Sequence, residues 1–312
     1  MRRNLLILVL GMLLFDGWQE ATASQAPWRM GLRLNSQQAR RGWPLLPFSR
    51  SSPVTPVSPW APPTINPALL STNRAVLPET LRVLFLGNSL TAAYNMPEVL
   101  TQMSRTATLK IKATMRTRDG YTLDNHMADI SSRTNISFTV QDPLVFTNRL
   151  TWHAVILQEH SQIPVYAWQR MITSVQRIDG AVRTARTRSA LFMPHSRPDP
   201  IFSPAEFLDR AEGAYQLVAQ RNGNLPLIPA GRAWQMVEMR ANNSIQLREL
   251  DGYTPTQHGA YLNACVMYAY LTWQTPLGLS NGGLHQVNGR DAEYLQRIAW
   301  ELFVSRRSGV PF

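Results

Sequence analysis

The sequence predicts an α/β protein, a three-layer α/β/α domain wound about a parallel sheet of about five strands. Two observations carry this prediction. Beyond residue 79, brief apolar runs bounded by turn residues recur along the chain, and stretches with helical spacing of apolar residues separate them. A parallel strand covered on both faces reads as a short continuous apolar run, because neither of its sides meets water. No internal repeat interrupts the alternation.

The elements follow in order. Arg2 and Arg3 precede an apolar run from Leu5 to Phe15, and Ala21-Thr22-Ala23 offers a cleavage site, which is the pattern of a secretory signal peptide over 1–23. The run falls short of the ~20 apolar residues that a span requires, so no stable membrane insertion is expected after cleavage. Asp16 and Glu20 lengthen the gap before the cleavage site and leave an uncleaved anchor as the alternative. The expected location is secreted or periplasmic. Ten prolines then fall between Pro27 and Pro78, a density that neither helix nor central strand tolerates, and 24–78 reads as an extended, proline-rich disordered linker. From 79 to 312 the domain follows. Its strands are expected at Arg82–Leu86, Leu109–Met115, His153–Leu157, Ser189–Met193 and Leu225–Pro229. Helices are expected at Pro97–Thr106, Ala167–Arg186, Ser203–Arg221, His258–Trp273 and Arg290–Val304, the third opening on a capping box with proline in its first turn.

Composition excludes several functional classes. The chain is 44% hydrophobic and 16% charged, which suits a sizeable core rather than a disordered protein. Its net charge of +11 is almost wholly arginine, since Lys110 and Lys112 are the only lysines. The arginines are scattered, with no zinc-finger, RNP-like or basic-helix pattern, so no nucleic-acid partner is expected. Cys265 is the only cysteine, which rules out intramolecular disulfides and cysteine-cluster metal sites, and it reads as a small core residue of a helix. No P-loop, dinucleotide or metal-ligand spacing is present, and no cofactor is expected.

The chemistry concentrates at strand ends. In such sheets ligands bind beyond the carboxyl ends of the strands, at the point where strand order reverses. The first strand, Val83-Leu84-Phe85-Leu86, runs straight into Gly87-Asn88-Ser89-Leu90-Thr91, which places the Ser89 hydroxyl on a strand-to-helix turn facing that crevice. Backbone N–H groups at the start of the next helix suit a developing oxyanion. A serine capping a helix is the competing explanation of the same five residues.

The wider pattern resembles the SGNH/GDSL hydrolases, in a bacterial branch carrying Gly-Asn-Ser in its first block. Val83–Thr91 is similar to that block. Gly120-Tyr121-Thr122-Leu123-Asp124-Asn125-His126 resembles the second block, Trp152–Gln162 the third strand and its exit, and Pro229–Trp234 the segment after the fifth strand. Asp251-Gly252 and Gly259-Ala260-Tyr261-Leu262 resemble the last block. The resemblance spans about 80–304 and implies a flavodoxin-like SGNH fold. It also implies Ser89 as nucleophile, Gly120 and Gln158 as oxyanion donors, Asp251 as the acid, and a structural hydrogen-bonding role for His126.

The last block departs from the family at one position. Thr254 stands where the general-base histidine belongs, and a threonine hydroxyl cannot take a proton near neutral pH. His258 is the nearest histidine, four residues on and about 5–6 Å further along a helix starting at Pro255. His160 and His195, each following a strand, are the alternative bases. The expectation is an exported serine esterase whose substrate is an ester-bearing small molecule or a carbohydrate, such as one losing O-acetyl groups. The alternative is an impaired SGNH-fold protein that binds polysaccharide or an envelope partner.

Overall fold

The computed structural model describes residues 79–132, 139–141, 149–240 and 244–306. The expected signal segment 1–23 and linker 24–78 lie outside the described residues. Five strands form one parallel sheet: β1 (Thr80–Gly87), β2 (Lys110–Thr117), β5 (Ala154–Leu157), β6 (Arg188–Phe192) and β7 (Leu227–Ile228), in the order β2-β1-β5-β6-β7. All five coincide with the runs read from the sequence. A separate antiparallel pair, β3 (Thr139–Gln141) with β4 (Arg149–Thr151), was not expected.

Strand side chains alternate between two cores. Val83 and Phe85 of β1 join one core with Leu100 and Met103 of α2 (Met96–Met103), Trp234 of α7 (Ala230–Arg240), Tyr261 of α8 (Gln257–Thr272) and Leu295 of α9 (Gly289–Arg306). Leu84 and Leu86 join the other with Leu123 of α3 (Leu123–Ser132), Val175 of α5 (Trp168–Thr184) and Tyr215 of α6 (Pro204–Arg221). Helices therefore cover both faces of the sheet, as predicted. The edge strand β2 alternates buried and exposed residues, with Lys112 and Arg116 on its open side, where charge discourages further pairing. β7 is held to two residues by Pro226 and Pro229, which cannot donate to a ladder.

Local chemistry sets the helix ends. Ser203 accepts from the Glu206 N–H while Glu206 accepts from the Ser203 N–H, completing the expected capping box of α6. Thr256 caps α8 by accepting from the Gly259 N–H at 3.2 Å. That helix is buried on nearly every side, with Cys265 at 0% exposure, as a core residue should be. Gly259 is obligatory there: a Cβ would lie 2.4 Å from the Leu247 carbonyl oxygen and 2.6 Å from the Trp234 ring. Two helices beyond the five expected, α3 and α7, carry apolar residues at helical spacing: Leu123 with Met127 and Ile130, and Ala230 with Ala233, Trp234 and Val237. Two single-turn helices, α1 (Ser89–Ala92) and α4 (Ile163–Tyr166), complete the set.

Candidate active site

Strand order decides where chemistry can occur. From β1 the chain crosses to β2 on one side, then returns to β5 on the other, so the reversal lies between β1 and β5. Ser89 leaves the carboxyl end of β1, and Gln158, Glu159 and His160 leave that of β5. The residues singled out in the first and third blocks therefore flank the topological switch point.

The Ser89 turn is held from beneath. Asn88 caps α1, its Oδ1 accepting from the Leu90 N–H at 3.1 Å while its Nδ2 donates to the Tyr121 carbonyl at 3.0 Å. Gln158, 1% exposed, accepts on Oε1 from the Asn88 N–H at 3.0 Å and from the Thr91 hydroxyl at 2.9 Å. Its Nε2 donates to the Glu159 carbonyl at 2.6 Å. These three partners fix the orientation of the amide, because turning it over would set N–H against N–H. A Cβ at Gly87 would stand 2.6 Å from both Gln158 Oε1 and Thr91 Oγ1, so glycine is what lets the amide approach. Behind the turn, Tyr94 (φ 48°) and Asn95 (φ 52°) are consecutive left-handed residues, a conformation costing a non-glycine residue roughly 1–2 kcal/mol. The Tyr94 hydroxyl donates to Glu249 at 2.7 Å. Such over-determined strain beside a surface serine is characteristic of functional sites.

The three residues expected as oxyanion donors have different surroundings. The N–H groups of Ser89 and Gly120 have no acceptor among the described residues, and Gly120 adopts φ +67° on the loop that Asn88 ties down through Tyr121. Both are free to receive charge. Gln158 lies buried beneath the turn, its carbonyl oxygen taken up by Asn88 and Thr91 and one amide hydrogen by the Glu159 carbonyl. With α1 only four residues long, the backbone N–H groups rather than a helix dipole offer the stabilisation. No described group hydrogen-bonds the half-exposed Ser89 hydroxyl.

The three candidate bases have different surroundings. His258 bonds through Nε2 to Asp291 at 3.1 Å, on α9, so the structure pairs it with that carboxylate and not with Asp251. His195 is 3% exposed, stacked on Trp234 with ring centroids 3.6 Å apart, and its Nε2–H donates to the Tyr253 carbonyl at 2.7 Å. Burial, with the Arg248 charge adding to it, pushes its pKa down to about 3, so it is neutral and locked as a brace of the loop that carries Asp251. His160 is partly exposed. Its Nδ1 accepts from the Gln162 N–H at 3.4 Å, its Nε2 has no partner among the described residues, and burial followed by the Arg197 charge holds its pKa below the usual value. His126 donates to the Gly87 carbonyl at 2.8 Å.

Asp251 is already engaged. It accepts from the N–H groups of Tyr253 at 2.9 Å and Thr254 at 2.8 Å, and from the Thr254 hydroxyl. Burial would raise its pKa, but these hydrogen bonds outweigh that and lower it. The threonine thus occupies the carboxylate oxygen that a histidine would use. Arg248 bonds Glu238 at 2.8 Å and the Ser196 carbonyl, anchoring this loop beyond β6. The sequence reading missed Glu159, 1% exposed, which accepts from the Leu123 and His160 N–H groups and which burial pushes up to about 7.

A cavity of about 740 Å³ lies at the other end of the sheet, lined by Arg188, Leu227, Trp273 and Phe303, away from these groups. No cluster of three or more His, Cys, Asp or Glu residues able to hold a metal occurs among the described residues. None of the described helices is long and apolar enough to cross a membrane.

Two measurements test this arrangement. Asn88→Ala should cost about 2–3 kcal/mol, from a lost helix cap and an unsatisfied Tyr121 carbonyl. Asn88→Ser keeps a capping oxygen and loses only the Tyr121 bond, so thermal melting should rank wild type above Ser and Ser above Ala. His195 governs acid stability. Unfolded, its ring takes up a proton below about pH 6.5, whereas folded it resists until about pH 3. The unfolded state therefore binds the extra proton, and stability falls as pH drops between those values. His195→Phe should show a smaller loss of Tm between pH 7 and pH 4 than wild type.

Neither a family model nor a curated protein matches the sequence. Solved structures do. A DUF4886 family protein from Bacteroides uniformis is similar at TM-score 0.54 and 17% identity, over 72% of this chain and 95% of that one. A member of the lipolytic protein G-D-S-L family from Veillonella parvula is similar at TM-score 0.42 and 13% identity, over 59% and 94%. An acetyl xylan esterase is similar at TM-score 0.45 and 14% identity, over 61% and 98%. At these identities the likeness concerns the fold. The strand order β2-β1-β5-β6-β7, with helices on both faces, gives the chain a three-layer α/β/α fold that it shares with the DUF4886 protein.

Proposed function

We propose that this chain is an exported serine ester hydrolase that removes O-acyl groups, acetyl among them, from a carbohydrate. The observation that carries the reading is the Ser89 turn, at the switch point of the sheet: its hydroxyl and N–H, and the N–H of Gly120 on the loop tied to Asn88, have no partner among the described residues. Ser89 Oγ attacks the acyl carbon, the N–H groups of Ser89 and Gly120 receive the oxyanion, and the alcohol departs with a proton. Water then releases the acid from Ser89. The base in this reading is His160, which leaves the strand beside β1 and whose Nε2 has no partner among the described residues. Carbohydrate and export rest on the sequence resemblance and the 1–23 signal pattern.

A chromogenic acetyl ester tests the reading, with wild type expected to exceed Ser89→Ala and equal background rates in both overturning it. Because the pKa of His160 is lowered, its imidazole stays neutral to below pH 6.5, so the acid limb of the rate should lie under that value. The closed Asp251–Thr254 pair favours a second reading, a crevice that binds esters without turnover. Saturable binding of an acylated saccharide with no release of acetate identifies that outcome.

A further inference from the structure

The segment leaving β6 brings Arg197 into the same crevice. Its guanidinium carbon stands 5.4 Å from the centroid of the Tyr253 ring, and its Nε is buried without a hydrogen-bond partner. The Tyr253 backbone is fixed, its N–H bonded to Asp251 and its carbonyl to His195, which sets where the ring leaves the chain. Arg197 also bears on His160 and Tyr166, and its positive charge opposes protonation of both. It thus sits between the exit of β5 and the Asp251 loop. β6 and β1 flank β5 in the sheet, so the segment carrying Arg197 and the Ser89 turn leave the same end of the sheet on either side of the β5 exit.

The nearby carboxylates are committed elsewhere. Asp199 accepts from the Tyr166 hydroxyl and from the N–H groups of Ile201 and Phe202. Asp251 holds Thr254, Glu249 holds Tyr94, and Glu159 is buried with two backbone donors. Arg248, one loop away, bonds Glu238, whereas no described carboxylate pairs with Arg197. An arginine has five donors and no acceptor, and its planar fork matches a carboxylate. Set beside a ring and with no carboxylate partner among the described residues, on a chain of net charge +11, it is suited to receive an anion.

We propose that Arg197 recognises a carboxylate carried on the alcohol portion of the ester substrate, so that acylated acidic saccharides are the preferred class. The inference rests on the ester-hydrolase reading for the bond that is broken, but not for the anion that is bound.

Two pairs of probes separate the claims. Hydrolysis of 4-acetoxybenzoate is compared with that of neutral 4-acetoxybenzamide, each normalised to its rate with hydroxide. Binding of the uncleavable 4-acetamidobenzoate is compared with that of 4-acetamidobenzamide by calorimetry. Wild type should favour the carboxylate about tenfold or more in both pairs, as a charge-assisted hydrogen bond allows, and added salt should reduce the preference. Arg197→Gln should bring the ratio to about one, and Arg197→Lys, which keeps charge without the fork, should fall between. Binding preference without hydrolysis would uphold Arg197 and refute the hydrolase. Hydrolysis with a ratio near one in wild type, or a ratio unchanged in Arg197→Gln, would refute the Arg197 assignment and leave the hydrolase standing. Neither binding nor hydrolysis refutes both.

Discussion

Thr254→His is expected to raise the turnover of an acetyl ester about 10²-fold, the contribution typical of a positioned general base. The threonine side chain already points at Asp251, bonding its Oδ2, and the Thr254 N–H bonds Oδ1. An imidazole placed there keeps that carboxylate as its partner through Nδ1–H and offers Nε2 to Ser89, as the resemblance to the last block implies. The pH profile distinguishes this gain from a nonspecific one. With His160 as the proposed base, the wild-type acid limb is expected below about pH 6.5, since burial and Arg197 lower the pKa of that ring. In the variant the limb should move above about pH 6.5, because the Asp251 carboxylate favours the charged imidazolium. Equal rates in variant and wild type would show that position 254 does not face Ser89.

Ser89→Ala is expected to abolish turnover, a loss of ~10³-fold or more, since removing a nucleophile leaves only what binding and the oxyanion donors supply. Folding should be indifferent to the change. The hydroxyl is half-exposed and bonded to nothing among the described residues, so its removal should leave Tm within about a degree. That contrast separates Ser89 from Asn88, whose side chain is tied into the turn and whose loss should cost stability and activity together.

What the sequence revealed follows from how local each feature is. The five strands were legible because full burial writes itself as continuous apolar runs, and the Ser203–Glu206 capping box because its two bonds close within one turn. The helices α3 and α7 carry a helical period of their own, but blocks read for chemistry concealed it. Placement of the site groups was not legible, because it depends on contacts far apart in the chain. Gln158 matched an oxyanion position by its place after β5, yet its amide reaches back seventy residues to Asn88. His258 lies close to Asp251 in sequence, but the rotation of α8 turns it to Asp291 on α9. A local sign of that partner existed: Asn288 caps α9 by accepting from the Asp291 N–H, which fixes that carboxylate near the start of the helix. The isolation of Arg197 could not be read from the chain at all, since it depends on what each neighbouring carboxylate has already bonded.

The most direct test of the account is covalent capture of the nucleophile. Purified protein is treated with an aryl phosphonate ester, then digested, and the adduct is located by mass spectrometry. One phosphonyl group is expected on the peptide containing Ser89, absent in Ser89→Ala and slowed by competing acetyl ester. An unmodified Ser89 after exhaustive treatment, or equal labelling of the Ser89→Ala variant, would contradict it.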